Sequence, residues 1–139
     1  RQIMNLGKRY DVKVLIENVG LRTKNNVLFD LPEYVALFDI FPQAGALLDT
    51  GHAHVNGWDI PAVVKALGER LAACHVHDND GSGDAHLPVG QGDIDWKAYF
   101  GAVKKYAPQA TQVFEYCCGF NNTKDLEAHI AELKAKYKL

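Results

Sequence analysis

The stretch His75–Trp96 reads HVHDNDGSGDAHLPVGQGDIDW. It opens on two histidines at the end of the apolar run Leu71–Val76 (LAACHV) and passes through a polar, glycine-rich segment that holds Asp84 and His86. It closes on Asp93 and Asp95, either of which suits a helix cap, ahead of Trp96, Phe100 and Val103 at helical spacing. Side chains alternate across a strand, so His75 and His77 share one face, and a loop carrying Asp84 and His86 can fold back over that face. On geometry alone either histidine of the pair can serve as a ligand. Strand, loop and helix thus meet at one cluster of metal-ligand types, in the kind of loop where function concentrates.

The same unit recurs on both sides. Val12–Glu17 (VKVLIE), Gly45–Asp49 (GALLD) and Gln112–Glu115 (QVFE) are short apolar runs that end on an acid. Helical patterns separate them. Residues 1–11 read as a last helical turn or two, with Ile3, Met4, Leu6 and Tyr10 on one side, and Asn18–Gly20 turn the chain out of the first run. Pro32 opens LPEYVALFDIF, whose inner positions are Val35, Phe38 and Ile40, and Pro42 stops it. Thr50–His54 read as a loop, and a helix starting near Asp59 and Pro61 carries the stripe Val63, Val64 and Leu67. Thr123 is the expected cap of a final helix with Leu126, Ile130, Leu133 and Tyr137 inward.

Strand followed by helix, four times over, predicts a parallel α/β sheet covered by helices. One-handed βα connections leave two arrangements, an open doubly wound sheet or an arc of a barrel. No phosphate-binding glycine fingerprint follows the first run, and polar residues sit at the C-terminal ends of all four, where barrel sites are built. The pattern therefore predicts a TIM-barrel arrangement. A full barrel takes about 250 residues, so residues 1–139 are expected to form one domain that supplies roughly the C-terminal half, beginning in mid-fold. Such a half leaves two strand edges and an apolar sheet face open, which predicts a homo-oligomer.

Composition excludes other classes. With 139 residues, 47% of them hydrophobic, a core can form. Fifteen Lys and Arg against 17 Asp and Glu leave a net charge of −2, which gives no field to hold a polyanion, so neither nucleic acid nor an anionic membrane is the expected partner. No run is long enough to span a membrane and no cationic, apolar leader is present. Three cysteines, two of them adjacent, make no disulfide framework, and a reducing, cytoplasmic setting is expected. Cys117 and Cys118 at a strand end are read as packing residues, and His129 as a surface residue.

Glu17, Asp49, His75 and Glu115 each end a successive run. Singly, a strand-terminal acid serves as well for a helix cap, but four donors from four neighbouring parallel strands converge on one centre. Carboxylates with one imidazole suit Mn²⁺, Mg²⁺, Co²⁺ or Zn²⁺. Histidines 52 and 54 are weaker candidates in a loop, whereas Asp84 with His86 places two ligand types beside the HVH pair.

The stretches LIENVG, LLDTGHAHVNG, HVHDNDGSGDAHLPVGQGDIDW and FEYCC resemble the C-terminal half of the xylose isomerase-like barrel superfamily, which includes sugar-phosphate isomerases and epimerases and the endonuclease IV class of abasic-site nucleases. For the isomerase branch the resemblance implies one divalent ion on Glu17, Asp49, His75 and Glu115. Glu17 and Glu115 double as an acid/base pair, and His52 contacts the sugar; His77 and His86 stand beside it as further candidate substrate contacts. For the nuclease branch it implies His52, Asp84 and His86 as added ligands of a zinc cluster. The chemistry suits the residue types: a divalent Lewis acid stabilises an enediolate of a sugar or sugar phosphate, and two carboxylates move the proton. The readings are thus a metal-dependent isomerase or epimerase, an abasic-site endonuclease, and a half-barrel without catalysis.

Overall fold

The computed structural model describes residues 1–139. Four strands, β1 (Leu15–Glu17), β2 (Gly45–Asp49), β3 (Leu71–Val76) and β4 (Thr111–Phe114), alternate with helices. The helices are α1 (Gln2–Arg9), α2 (Leu31–Ile40), α3 (Thr50–Val55), α4 (Ile60–Leu67), α5 (Trp96–Tyr106) and α6 (Thr123–Tyr137). All neighbouring strands are parallel and the sheet order is β1-β2-β3-β4. Spatial order follows chain order without the reversal that marks a doubly wound sheet, so the sheet is an arc of a TIM barrel.

Register assigns the two faces. Glu17 pairs with Leu47, Leu47 with Ala73, Asp49 with His75, and His75 with Val113, so these side chains share the concave face. Ile16, Ala46, Leu48, Cys74, Val76 and Phe114 alternate with them on the other face, where the helices lie. Tyr34 and Phe38 of α2, Val63, Val64 and Leu67 of α4, and Tyr99, Phe100 and Val103 of α5 complete the core there. The Tyr34 hydroxyl lies 3.0 Å from the Ile16 carbonyl and 2.7 Å from that of Leu47, joining β1 to β2 under the sheet. The concave face is only partly covered, and Val113 on it is exposed. Strands whose sequence reads as apolar on both sides are therefore closed on one side within residues 1–139.

Local chemistry sets the helix starts. The Asp30 carboxylate accepts from Glu33 N–H at 2.9 Å while the Glu33 carboxylate accepts from Asp30 N–H at 3.0 Å, a capping box ahead of α2. Asp59 caps α4, and Asp95, of the two acids expected there, caps α5. For α6 the cap is Asn122, one residue before the expected Thr123.

Several expectations need correction. Residues Val12–Val14 do not belong to β1, because Val12 N–H donates to the Gly7 carbonyl at 2.8 Å and is tied to the end of α1; only the Val14 carbonyl continues the ladder, accepting from Gly45 N–H. Thr50–Val55 is a helix and not a loop, since the Asp49 carboxylate accepts from His52 N–H at 2.7 Å and caps it. Cys117 and Cys118, expected to be packing residues, are exposed, and only Cys74 in β3 is buried. His129 is half-buried beside Tyr116, 3.3 Å from its hydroxyl, and not free on the surface. No helix is long and apolar enough to cross a membrane.

Candidate functional site

The C-terminal ends of the four strands bring eight ionisable side chains together. His75 Nδ1 lies 3.4 Å from Glu17 Oε1, 3.8 Å from Asp49 Oδ2 and 3.5 Å from Glu115 Oε2. Donors held about 2.0–2.2 Å from one ion at tetrahedral or octahedral angles are separated by ~3–3.6 Å, so these spacings fit a shared divalent ion with little movement. Glu17, Asp49 and His75 offer ligand atoms within 4.8 Å of one another. Glu17 and Glu115 come from the outer strands of the four, with Asp49 and His75 between them.

A second tier stands over this one. His52, on α3, lies 3.8 Å from Glu17 Oε1 through Nδ1 and 3.3 Å from Asp84 Oδ2 through Nε2. Asp84 Oδ2 is also 3.2 Å from His86 Nε2, so the loop does fold back over the strand face and joins α3 to its own His86. His86 has a φ of +47°, in the left-handed region that side chains avoid, and its Nδ1 lies 3.2 Å from the Glu115 carbonyl. A strained backbone at a ligand-type residue is a feature that functional sites retain. His54 faces elsewhere, its Nδ1 2.8 Å from Asn79 Oδ1.

His77 is placed behind the cluster. It is fully buried, its Nε2 is 3.1 Å from the Asp49 carboxylate, and its ring stacks on that of His86 at 3.8 Å between centroids. Burial pushes the Asp49 carboxyl up, but the hydrogen bond and charge of His77, with His52, outweigh it and hold the group below its ordinary range. For His77, burial lowers the pKa, and the Asp49 hydrogen bond with the charges of Asp49, Asp84 and Glu115 outweighs that and raises it. The second ring nitrogen, Nδ1, has no partner, and neither has the buried Asp84 Oδ1 that faces it at 3.8 Å. Two unsatisfied buried polar atoms side by side mark a place for a further polar species.

Four residues that hold this geometry escape a sequence reading, three because they are not of ligand type and Asp78 because its residue type does not announce its partners. The Asn18 side chain pairs with the backbone of Asp49, Nδ2 donating to the carbonyl at 3.0 Å and Oδ1 accepting from N–H at 2.7 Å. Thr50 Oγ1 is 3.1 Å from the His75 carbonyl and 2.9 Å from that of His77. Asp78, fully buried, accepts from Trp96 Nε1 at 2.7 Å, Gly90 N–H at 2.8 Å, Asn79 N–H at 3.0 Å and Ile94 N–H at 3.3 Å. Asn79 in turn donates to the Gly51 carbonyl. The only cue available was position, since each directly follows a strand-end ligand or sits in the HDND run.

A sequence model of the xylose isomerase-like TIM barrel matches residues 1–136. The chain belongs to that family. Among its relatives, the uncharacterized protein MJ1614 of Methanocaldococcus jannaschii is 30% identical over 104 residues, 73% of this chain and 38% of the relative. The uncharacterized protein y4fM of Sinorhizobium fredii is 32% identical over 95 residues, covering 67% and 30%. Solved structures superpose over nearly all of the chain. A D-allulose 3-epimerase from Methylomonas sp. gives a TM-score of 0.78 at 18% identity, covering 98% of this chain and 52% of that one. A D-tagatose 3-epimerase-like protein gives 0.72 at 22%, covering 97% and 53%. The chain thus spans about half the length of these structures and about a third of the curated relatives.

Proposed function

We propose that residues 1–139, acting as one unit, carry the metal-binding half of a divalent-metal-dependent isomerase or epimerase site for a sugar or sugar phosphate. The observation that carries this reading is the convergence of three carboxylates from separate strands within 3.8 Å of one imidazole nitrogen, His75 Nδ1. Glu17, Asp49, His75 and Glu115 are the proposed ligands. The structurally similar proteins include a D-allulose 3-epimerase and a D-tagatose 3-epimerase-like protein, which agrees with sugar chemistry.

A bound ion supplies positive charge next to the oxygens on which negative charge develops when a proton leaves the neighbouring carbon. The chain's own residues do the rest. Glu17 and Glu115, from the two outer strands, stand on opposite sides of a carbon chain laid across Asp49 and His75, one to take the proton and the other to return it. His52, between Glu17 and Asp84, would turn the Nε2 that now faces Asp84 to a sugar oxygen, and His86 would do so from the loop side. His77 holds the Asp49 carboxylate from behind.

The test is titration calorimetry of the chain with Mn²⁺ or Co²⁺, followed by exchange of the carbon-bound proton of a ketohexose in D₂O with the ion present. One ion per chain, lost in His75→Ala, with exchange reduced at least 100-fold in Glu115→Gln, is expected. Absence of stoichiometric binding at micromolar ion refutes the ligand set; binding without any exchange leaves a sugar-binding half-barrel.

One observation favours a second reading, the nuclease branch. Asp84 lies within 3.3 Å of both His52 and His86, adding a second donor set beside the first. Two or more zinc ions per chain together with cleavage of abasic DNA would establish it. The net charge of −2 gives DNA little electrostatic hold.

A further inference from the structure

Cys117 and Cys118 are adjacent, exposed and free, a combination that a folded surface ordinarily avoids because such thiols oxidise. They also occupy a structural corner. Cys117 N–H donates to the His86 carbonyl at 3.1 Å, and Cys117 Sγ–H donates to the Ala85 carbonyl at 3.2 Å. One residue therefore pins two successive carbonyls of the loop that carries Asp84 and His86. The two thiols are carried by neighbouring residues and both are exposed, so rotation about their χ1 bonds can bring the sulfurs together without moving buried structure.

We propose that Cys117 and Cys118 form a reversible vicinal disulfide, and that its formation releases the Ala85 carbonyl and loosens the hold of this corner on the Asp84–His86 loop. Cys118, the thiol that holds no carbonyl, attacks one sulfur of a small-molecule disulfide and expels one small thiol. Cys117 then attacks the Cys118 sulfur of the mixed disulfide, forming the protein S–S bond and expelling the second. Two electrons pass to the reagent, and the two S–H protons leave on the released thiols.

Reversibility follows from the geometry of neighbours in sequence. Adjacent Cα atoms are about 3.8 Å apart across a trans peptide, whereas relaxed disulfides span about 4.4–6.8 Å. A bridge closed within one dipeptide is therefore strained, and strained bridges are the easily reduced ones. The bridged sulfur has no hydrogen to give, so the Ala85 contact is lost on oxidation and regained on reduction. Cys74 offers an internal control, since burial pushes its thiol up to about 11 and shields it from reagent.

The site stands independently of the proposed function; only its effect on ion binding rests on that reading. The experiment treats the reduced chain with oxidised glutathione and follows intact mass and amide hydrogen exchange. Loss of about 2 Da with no retained adduct, reversed by dithiothreitol, is expected for the natural chain, and one retained glutathione for Cys118→Ala or Cys117→Ala. Exchange in the segment around Ala85–Leu87 should rise at least threefold on oxidation. Cys117→Ala should show that rise without oxidant, and Cys118→Ala should not. Two retained adducts, a disulfide-linked dimer or no reaction overturns the bridge, and unchanged exchange in an oxidised chain overturns the coupling. Ion affinity measured on the same samples separates failure of the switch from failure of the metal site.

Discussion

Replacing Asp78 by alanine isolates what holds the site loop in place. This carboxylate is fully buried and accepts four hydrogen bonds, from Trp96 Nε1 and from the backbone of Asn79, Gly90 and Ile94. Gly90 is exposed and can turn to water, but Asn79, Ile94 and Trp96 are buried. Three donors are thus stranded at about 1–2 kcal/mol each, a loss of roughly 3–6 kcal/mol. With a urea m-value of about 2 kcal/mol/M, the unfolding midpoint should fall by about 2 M. Asp78→Asn should do little better, because its amide places N–H groups against donors. Trp96→Phe removes a single donor and should cost about 1 kcal/mol, while the double variant Asp78→Ala with Trp96→Phe should lose less than the sum, since one stranded donor is gone. Urea unfolding followed by circular dichroism measures all four variants. A loss under 1 kcal/mol for Asp78→Ala, or strict additivity in the double variant, would show that the carboxylate does not organise the loop.

Three further outcomes follow from the same geometry. Gly51→Ala sets a methyl group into the His77 ring, so a cost of about 1–3 kcal/mol is expected; a melting temperature equal to that of the natural chain would contradict the packing. Asn18→Ala removes two buried hydrogen bonds to the Asp49 backbone and should cost about 2 kcal/mol and weaken ion binding, read by calorimetry. In the metal-free chain, the lowered pKa of Asp49 gives stability that is present above its ordinary 3.8 and lost as pH falls through the folded value. The raised pKa of His77 gives stability that is complete below 6.5 and lost as pH rises through its folded value. Melting temperature in chelator should therefore peak between about pH 4 and 6.5, and a steady rise from pH 6 to 9 would contradict the ion pair.

The fold was legible because hydrophobic runs, acids at their ends and helix caps are local signals. Asp59 and Asp95 with their following helices, and the runs GALLD and LAACHV, carry β2, β3, α4 and α5 almost unaided. The start of β1 was not legible, since Val12 reads as strand but is claimed by the Gly7 carbonyl. Nor was α3, since TGHAHV has poor helical composition and forms because Asp49 caps it while facing the site. The four strand-end donors could be named because a ligand must be of ligand type. Asn18 and Thr50 could not, because they bond backbone atoms distant in sequence; Asp78 is of ligand type, but its partners, the Trp96 indole and the N–H groups of Asn79, Gly90 and Ile94, are not announced by that type.

The two tiers of the cluster differ in how they are held, and under the proposed metal reading that difference sets an expectation for how many ions would bind. Glu17 and Asp49 end paired strands, His75 is the penultimate residue of β3, and Glu115 N–H still donates to the Val76 carbonyl, so their positions follow from the ladder. Asp84 and His86 depend on Asp78, on the positive φ of His86 and on the Cys117 contacts. A donor set fixed by a sheet binds with little reorganisation, whereas one fixed by a loop gives up part of its affinity to ordering. The strand tier should therefore fill first and tightly, and the loop tier later and with an affinity that Asp78→Ala and oxidation at Cys117–Cys118 both reduce. Stepwise binding in which those perturbations move only the weaker step would tie the second tier to the loop. A single step moved by neither would assign the whole of the ion to Glu17, Asp49, His75 and Glu115, and leave Asp84 and His86 to meet the substrate.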